Sequence, residues 1–244
     1  MKIGIIGAGN IGSLVAKKLD AAGHQVKLAN SRGPESLADT VAGTGIQAVG
    51  REAAVLDADV VILSVPFAKN PDLATILAGA PAGAIVVDTS NYYPTRDSKI
   101  FEVDSGKPET VWASEQVGRP LVKAWNALLT QTLAEAGLEA GAPGRIAIPI
   151  SGDDAAAKAL VSDLISVTGF DTVDAGTLEE SWRLHPGTPA YCTELTAHEL
   201  KAALAAADRK RAPSNRDAIM ASFSKPDAEF TRAGAVATNR SLSA

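Results

Sequence analysis

Apolar residues in the first ninety positions fall into two alternating rhythms. Lys2–Gly7 (KIGIIG), His24–Asn30 (HQVKLAN), Asp59–Pro66 (DVVILSVP) and Ala84–Asn91 (AIVVDTSN) are short runs dominated by Ile, Val, Leu and Ala. Ile46–Gly50 (IQAVG) is a weaker run of the same kind. Between them lie segments of helical spacing. Asn10–Gly23 puts Ile11, Leu14, Val15 and Leu19 on one face and closes on Gly23. Gly33–Gly45 carries Pro34 where a first helical turn accepts it, and Arg51–Ala58 and Asn70–Ala80 are helical as well. Apolar strands separated by helices predict a parallel sheet covered on both faces.

Beyond Tyr92 the rhythm weakens. Tyr92–Thr110 is polar and rich in turn residues. Arg119–Asn126 (RPLVKAWN) predicts a sixth strand and Ala127–Gly137 a helix. Arg145–Gly152 (RIAIPISG) predicts a further strand, with Pro149 pointing to an edge or a bulge. Asp154–Gly169 predicts an amphipathic helix capped by Asp153 or Asp154, and Phe170–Gly176 a short strand. The rest reads as helical, most clearly Glu194–Arg211, where Thr196 and Glu199 have the spacing of a capping box. The composition shifts near Gly176. We therefore expect residues 1–176 to form one domain with an extended sheet. Residues 177–244 should form a small helical region, too short for a core of its own, that packs on the sheet domain or on a partner in a homodimer.

Chemistry enters at the first turn. Gly7, Gly9 and Gly12 spell G-x-G-x-x-G between a strand and a helix, the context that gives this motif its meaning. Gly7 suits a tight turn, Gly9 lets a pyrophosphate approach the backbone, and Gly12 lets helix and strand pack closely. With Asn10 and Ile11 at the helix start, free N–H groups face the anion. The fold class is α/β: a doubly wound parallel sheet of Rossmann type, with the glycine turn at its centre and a small, mainly helical C-terminal part.

About 20 residues further on, a site for NAD would carry a carboxylate for the ribose hydroxyls. This chain has Asn30, Ser31 and Arg32 instead. Loss of the acid removes repulsion against a 2′-phosphate, and serine plus arginine supply donors for it. The cofactor expected is NADP(H).

The remaining candidates stand at strand ends, where open α/β sheets build their sites. Ser64, Val65 and Pro66 end the fourth strand and would border the cofactor, Pro66 shaping the loop under the nicotinamide. Asn91, at the end of the fifth strand, and Asn126, at the end of the sixth, would hydrogen-bond a carboxamide or an acceptor. Lys123 is a candidate acid or charge partner. Ser64, Pro66, Asn91, Lys123 and Asn126 together form the expected catalytic set. His24, His185 and His198 do not cluster, and only His185 lies in a turn-rich stretch. With one cysteine, Cys192, and no ligand spacing, no metal site is expected.

Composition narrows the classes. The net charge of −5 and the lack of a long basic run argue against a nucleic-acid partner. No run of about 18 apolar residues predicts a membrane span. A lone cysteine suits a reducing cytoplasm, and glycines and Asn10 break the N-terminal apolar run, which reads as a strand rather than a targeting segment.

Taken in order, IGIIGAGNIG, NSRGPESL, VILSVPF, DTSNYYP and GRPLVKAWN resemble the NADP oxidoreductases that include the coenzyme F-420 (deazaflavin) NADP reductases. The reductase domain of membrane metalloreductases is in the same group. The resemblance, strongest in the first half, implies an NADP-binding Rossmann domain and a helical C-terminal part that helps form a dimer. It also implies hydride passage between nicotinamide and a flat acceptor such as deazaflavin F-420 or a flavin. One departure is that Asn126 stands where a deazaflavin reductase would carry a histidine. A small carbonyl or imine acceptor is the other possibility. The competing expectation is a non-enzymatic NADP(H)-binding regulator that senses redox state.

Overall fold

Alternate residues of a strand face opposite sides of the sheet, so continuous apolar runs demand cover on both. The computed structural model, which describes residues 1–224 and 230–243, shows that cover. Six parallel strands, β1 (Lys2–Ile6), β2 (Gln25–Ala29), β3 (Gln47–Ala48), β4 (Val60–Leu63), β5 (Ile85–Asp88) and β6 (Leu121–Lys123), lie in the order β3-β2-β1-β4-β5-β6. The chain reverses direction across the sheet beside β1, the switch point at which such folds bind ligands. The expected doubly wound sheet, with the glycine turn at its centre, is therefore present.

On one face Ile3, Ile5, Val60, Ile62, Val87 and Val122 pack with Val15, Ala16 and Leu19 of helix α1 (Asn10–Ala21). On the other, Ile6, Val61, Leu63, Val86 and Leu121 pack with Phe67, Leu77 and Trp112. That second layer is built of short helices, α3 (Arg51–Val55), α4 (Ala74–Leu77), α5 (Pro94–Asp97), α6 (Phe101–Asp104) and α7 (Glu109–Val117), whereas α2 (Ala38–Val41) lies on the α1 side, where Leu37 and Val41 join the core. Gly4 permits a close approach of this layer, since a Cβ there would lie 2.0 Å from the Ala54 carbonyl oxygen of α3. Helix α7 falls next to a stretch read as turns. Pro108 precedes it and polar residues flank it, but Trp112, Ala113 and Val117 are buried.

After β6 come α8 (Thr130–Glu135), β7 (Ala147–Ile150), α9 (Ala155–Val167) and β8 (Asp171–Asp174). The expected extension of the sheet takes a different form. Strands β7 and β8 pair in parallel as a separate two-stranded sheet, joined to β6 by an isolated antiparallel bridge between Lys123 and Ser151. Helix α9 starts where Asp154, of the two aspartates considered, accepts hydrogen bonds from the Ala156 and Ala157 amides at 2.8 and 3.1 Å. Its Val161, Leu164 and Ile165 join the core on the α1 side.

The last third is helical: α10 (Ala197–Ala206), α11 (Ala212–Phe223) and α12 (Arg232–Ser243). Glu199 accepts from the Thr196 amide at 2.8 Å, as the capping-box spacing required. Leu184, Ala190, Leu200 and Leu204 pack with Ala147 and Val173 in a third apolar cluster on the small sheet. Helix α12 is fixed by a two-pronged ion pair from Arg232 to Glu194, at 2.6 and 2.9 Å, and by Arg240 donating to the carbonyls of Thr193 and Glu194. Among the described residues, no helix is long and apolar enough to cross a membrane.

Candidate functional site

The turn from β1 into α1 leaves no room for side chains. Gly7 has φ of +110°, and a Cβ there would lie 2.0 Å from the Ser64 carbonyl oxygen. A Cβ on Gly12 would lie 2.0 Å from the Gly7 carbonyl oxygen. Gly9 differs: no heavy atom lies within 4 Å of where its Cβ would be, so its backbone faces open space at the helix start. No side chain caps α1. Its first N–H groups and the positive end of its dipole point at that space, a cradle that fits a pyrophosphate.

A cavity of about 590 Å³ opens there, lined by Gly7, Gly9, Asn30, Ser31, Arg32, Ser64, Val65 and Pro66 together with Arg51 and Lys69. Eight sequence-predicted positions are thus brought together. Ser31 and Arg32 are exposed. The turn is held by Asn30, whose Oδ1 accepts from the Arg32 amide at 2.9 Å and whose Nδ2 donates to the Ser36 hydroxyl at 2.8 Å. Asn30 therefore shapes the turn, leaving the Arg32 guanidinium to meet an anion. Arg51 and Lys69 add two cations that the sequence reading did not select. Arg51 opens α3, three positions beyond the end of β3, a strand end like those that supplied the other candidates. Lys69 is partly engaged by Asp72 at 3.5 Å.

A second cavity, of about 720 Å³, begins one residue further along the same turn, at Asn10 and Ile11. Thr89, Asn91, Tyr93, Trp125, Asn126 and Tyr191 form its inner wall, and Phe223 of α11, Arg232 of α12 and Phe230, just before α12, line it as well. Asn91 and Asn126 both reach it, but mostly bond to each other and to the backbone. Asn126 Nδ2 donates to Asn91 Oδ1 at 3.0 Å and to the Leu184 carbonyl at 2.9 Å. Asn91 Nδ2 donates to the Asn126 carbonyl at 3.0 Å and to the Tyr191 hydroxyl at 3.3 Å. That hydroxyl lies 2.8 Å from the hydroxyl of Tyr93. Asn126 Oδ1 is buried without a hydrogen-bond partner among the described residues, an acceptor left over for an incoming N–H or O–H. Cys192 also lines this cavity, but burial pushes its thiol up to about 12, so it stays protonated and unreactive.

Lys123, read as an acid or a charge partner of the acceptor pocket, is a charge partner of Asp88 and stands outside that pocket. Its side chain has no exposure and lines neither cavity. Its Nζ sits 2.7 Å from Asp88 Oδ2, also fully buried, and donates to the Ser90 carbonyl. The register of β5 and β6 places Asp88 and Lys123 side by side, so this ammonium braces the strand ends rather than facing a substrate. His185 is likewise withdrawn, with Nδ1 3.5 Å from Glu109 Oε1. Burial pushes Glu109 up to about 7 and His185 well below its usual range. Phe67 is packed between Tyr92 and Trp112 with ring centroids 5.5 and 4.9 Å away. Among the described residues no three His, Cys, Asp or Glu side chains converge on a metal position.

Sheet order, glycine turn and basic pocket define a dinucleotide-binding α/β protein. The chain belongs to the family described as NADP oxidoreductase coenzyme F420-dependent, whose model matches residues 2–92. Over 105 residues it is 34% identical to the protein YjhV of Escherichia coli, covering 43% of this chain and 77% of that one. Over 177 residues, 72% of the chain, it is 30% identical to the metalloreductase STEAP3 of Rattus norvegicus, of which it spans 34%, about a third. The crystal structure of hypothetical protein SMa0349 from Sinorhizobium meliloti is similar at TM-score 0.69 and 38% identity, covering 80% of this chain and 95% of that one. That of a candidate F420-dependent NADP-reductase from Arthrobacter sp. FB24 is similar at TM-score 0.59 and 25% identity, covering 73% and 86%.

Proposed function

We propose that this protein is an NADPH-dependent reductase that passes hydride to a small planar acceptor. The acceptor is a deazaflavin such as F-420, a flavin, or a carbonyl or imine compound. The observation that carries the reading is the meeting of two cavities at one peptide. Gly9 lines the first and Asn10 the second, so a dinucleotide laid across the turn would have its phosphates in one and its nicotinamide in the other. Family membership supports the cofactor. The second cavity supports an acceptor site, because a protein that only sensed NADPH would have no use for a large, apolar, aromatic-walled space there.

Each residue then has a task. The amides behind Gly9 and the α1 dipole hold the pyrophosphate. Ser31 and Arg32 take the 2′-phosphate, with Arg51 and Lys69 adding to the positive field. Ser64, Val65 and Pro66 border the cofactor along β4. Asn126 Oδ1 accepts an N–H from the nicotinamide carboxamide or the acceptor. Pro186, Tyr191, Arg216, Phe223, Phe230 and Arg232 close the second cavity over the sheet domain. When bound, NADPH supplies the hydride; the chain's own work is alignment and exclusion of water.

The test is purified protein with NADPH and a panel of deazaflavin, flavin, quinone and cyclic imine acceptors, followed at the nicotinamide absorbance band. Acceptor-dependent loss of that band is the expected result. Tight NADPH binding with no loss for any acceptor would make the chain a non-enzymatic redox-sensing regulator instead.

A further inference from the structure

The hydroxyl pair in the second cavity has no place in a scheme of hydride alignment alone. Tyr93 follows β5 and Tyr191 lies in the loop that precedes α10, 98 positions away, yet their oxygens meet at 2.8 Å. Both side chains line the cavity. The Asn91 amide donates to the Tyr191 oxygen, and the cross-bonds to Asn126 fix which end of Asn91 faces the tyrosine. With Asn91 and Tyr93 as donors to its oxygen, Tyr191 keeps its own proton to give, at rest to the Cys192 sulfur beside it and, once an acceptor enters the cavity, to that group. The second phenol stands behind it to replace that proton.

We propose that Tyr191, backed by Tyr93, is the proton donor of the acceptor site, and that the acceptor is an unsaturated carbon–oxygen or carbon–nitrogen group. This rests on the NADPH-dependent reductase reading. The balance is simple for a ketone. Hydride from NADPH forms the new C–H bond, and NADPH is oxidised to NADP⁺. The π pair of the C=O moves to oxygen, which takes the Tyr191 proton to become an alcohol. Tyr93 passes its proton to Tyr191 and is reprotonated from water, so one ketone, one NADPH and one proton yield one alcohol and one NADP⁺. Burial raises both phenols above their ordinary range, which keeps them protonated until the oxyanion forms beside them.

The experiment compares wild type with Tyr191→Phe and Tyr93→Phe using two planar probes. Phenanthrenequinone must gain a proton along with the hydride. The 10-methylacridinium cation takes hydride alone, and its rate is read above the uncatalysed reaction with NADPH. Tyr191→Phe should lower kcat with the quinone by about 10²- to 10⁴-fold, the usual range for a positioned acid, and leave the acridinium rate within about threefold. Tyr93→Phe should show a smaller loss with the same selectivity. A readout without turnover accompanies this. Quinone binding to the cofactor-free protein, followed by quenching of Trp fluorescence (Trp125 lines the cavity), should weaken about 2- to 13-fold in Tyr191→Phe through loss of one hydrogen bond. Equal losses for both probes, or none for either, would overturn the proton donor and leave the reductase standing. Failure of wild type to oxidise NADPH with any acceptor would overturn the reductase reading and this inference with it.

Discussion

Replacing Lys123 by methionine separates a structural ammonium from a catalytic one. Lys123 and Asp88 have no exposed side-chain surface, and their charged atoms are 2.7 Å apart. Asp88 also accepts from the Ser90 amide at 2.9 Å and the Ser90 hydroxyl at 2.6 Å. Methionine fills most of the lysine volume, so the main loss is electrostatic: Asp88 is left as a buried carboxylate without its counter-charge. Breaking a buried pair on one side costs about 3–5 kcal/mol. In a chain of this size that lowers Tm by roughly 6–20 °C. The double change Asp88→Asn with Lys123→Met removes both charges and should recover much of the loss, since the asparagine oxygen still accepts from Ser90. The assay is urea denaturation followed by far-UV circular dichroism, with NADPH affinity measured below the transition. Single variants should unfold at lower urea yet bind NADPH like wild type while folded. A Lys123→Met protein of unchanged stability with kcat reduced a hundredfold would refute the reasoning and put the ammonium in the reaction.

The remaining predictions concern the cofactor turn and the buried carboxyl. Arg32→Ala should weaken NADPH about 10- to 150-fold, the value of one to two charge-assisted hydrogen bonds, and leave NADH nearly unchanged, as read by fluorescence titration of both cofactors. Asn30→Asp keeps the acceptor for the Arg32 amide, loses the donor to Ser36 and sets a carboxylate against the 2′-phosphate, so preference should move towards NADH. Equal losses for the two cofactors in either variant would remove the 2′-phosphate from this turn. Glu109, pushed up to about 7 from 4.5, contributes stability that is full below the unfolded value and is lost as pH rises through the folded one. Across that window the loss is on the order of 3 kcal/mol. Glu109→Gln, which resembles the neutral acid, should therefore gain stability over wild type at pH 8 and little at pH 4.5. A gain of the same size at both pH values in urea melts would count against a raised Glu109.

Much of the first half was legible because local signals and burial agree there. An apolar strand, three glycines and a helix start leave one arrangement, and the N-S-R turn carries its chemistry in consecutive residues. The capping residues Asp154, Thr196 and Glu199 were legible for the same reason: the bonds they make close within four positions. The residues that were misplaced or missed depend on distant partners. Tyr191 acquires its role only beside Tyr93, and Glu109 its burial only beside His185. The β7–β8 pair left the main sheet because each strand is satisfied by the other, which strand propensity cannot foretell.

Lys123 is the instructive case, because its position could have been argued from the pleat. In β6, Leu121 and Lys123 must share one face and Val122 take the other; in β5, Val86 and Asp88 share a face opposite Val87. Helices on both sides leave neither face open to solvent. A lysine at such a place is either paired or neutral, and a parallel partner strand ending in aspartate supplies the pair. The residues that reach the cavity, Asn91 and Asn126, lie three positions beyond each strand end, where the chain has left the sheet and turns across its carboxyl edge. The end of a strand in an open α/β sheet thus divides into two zones: the last paired residue belongs to the interior, and the chemistry starts in the loop that follows.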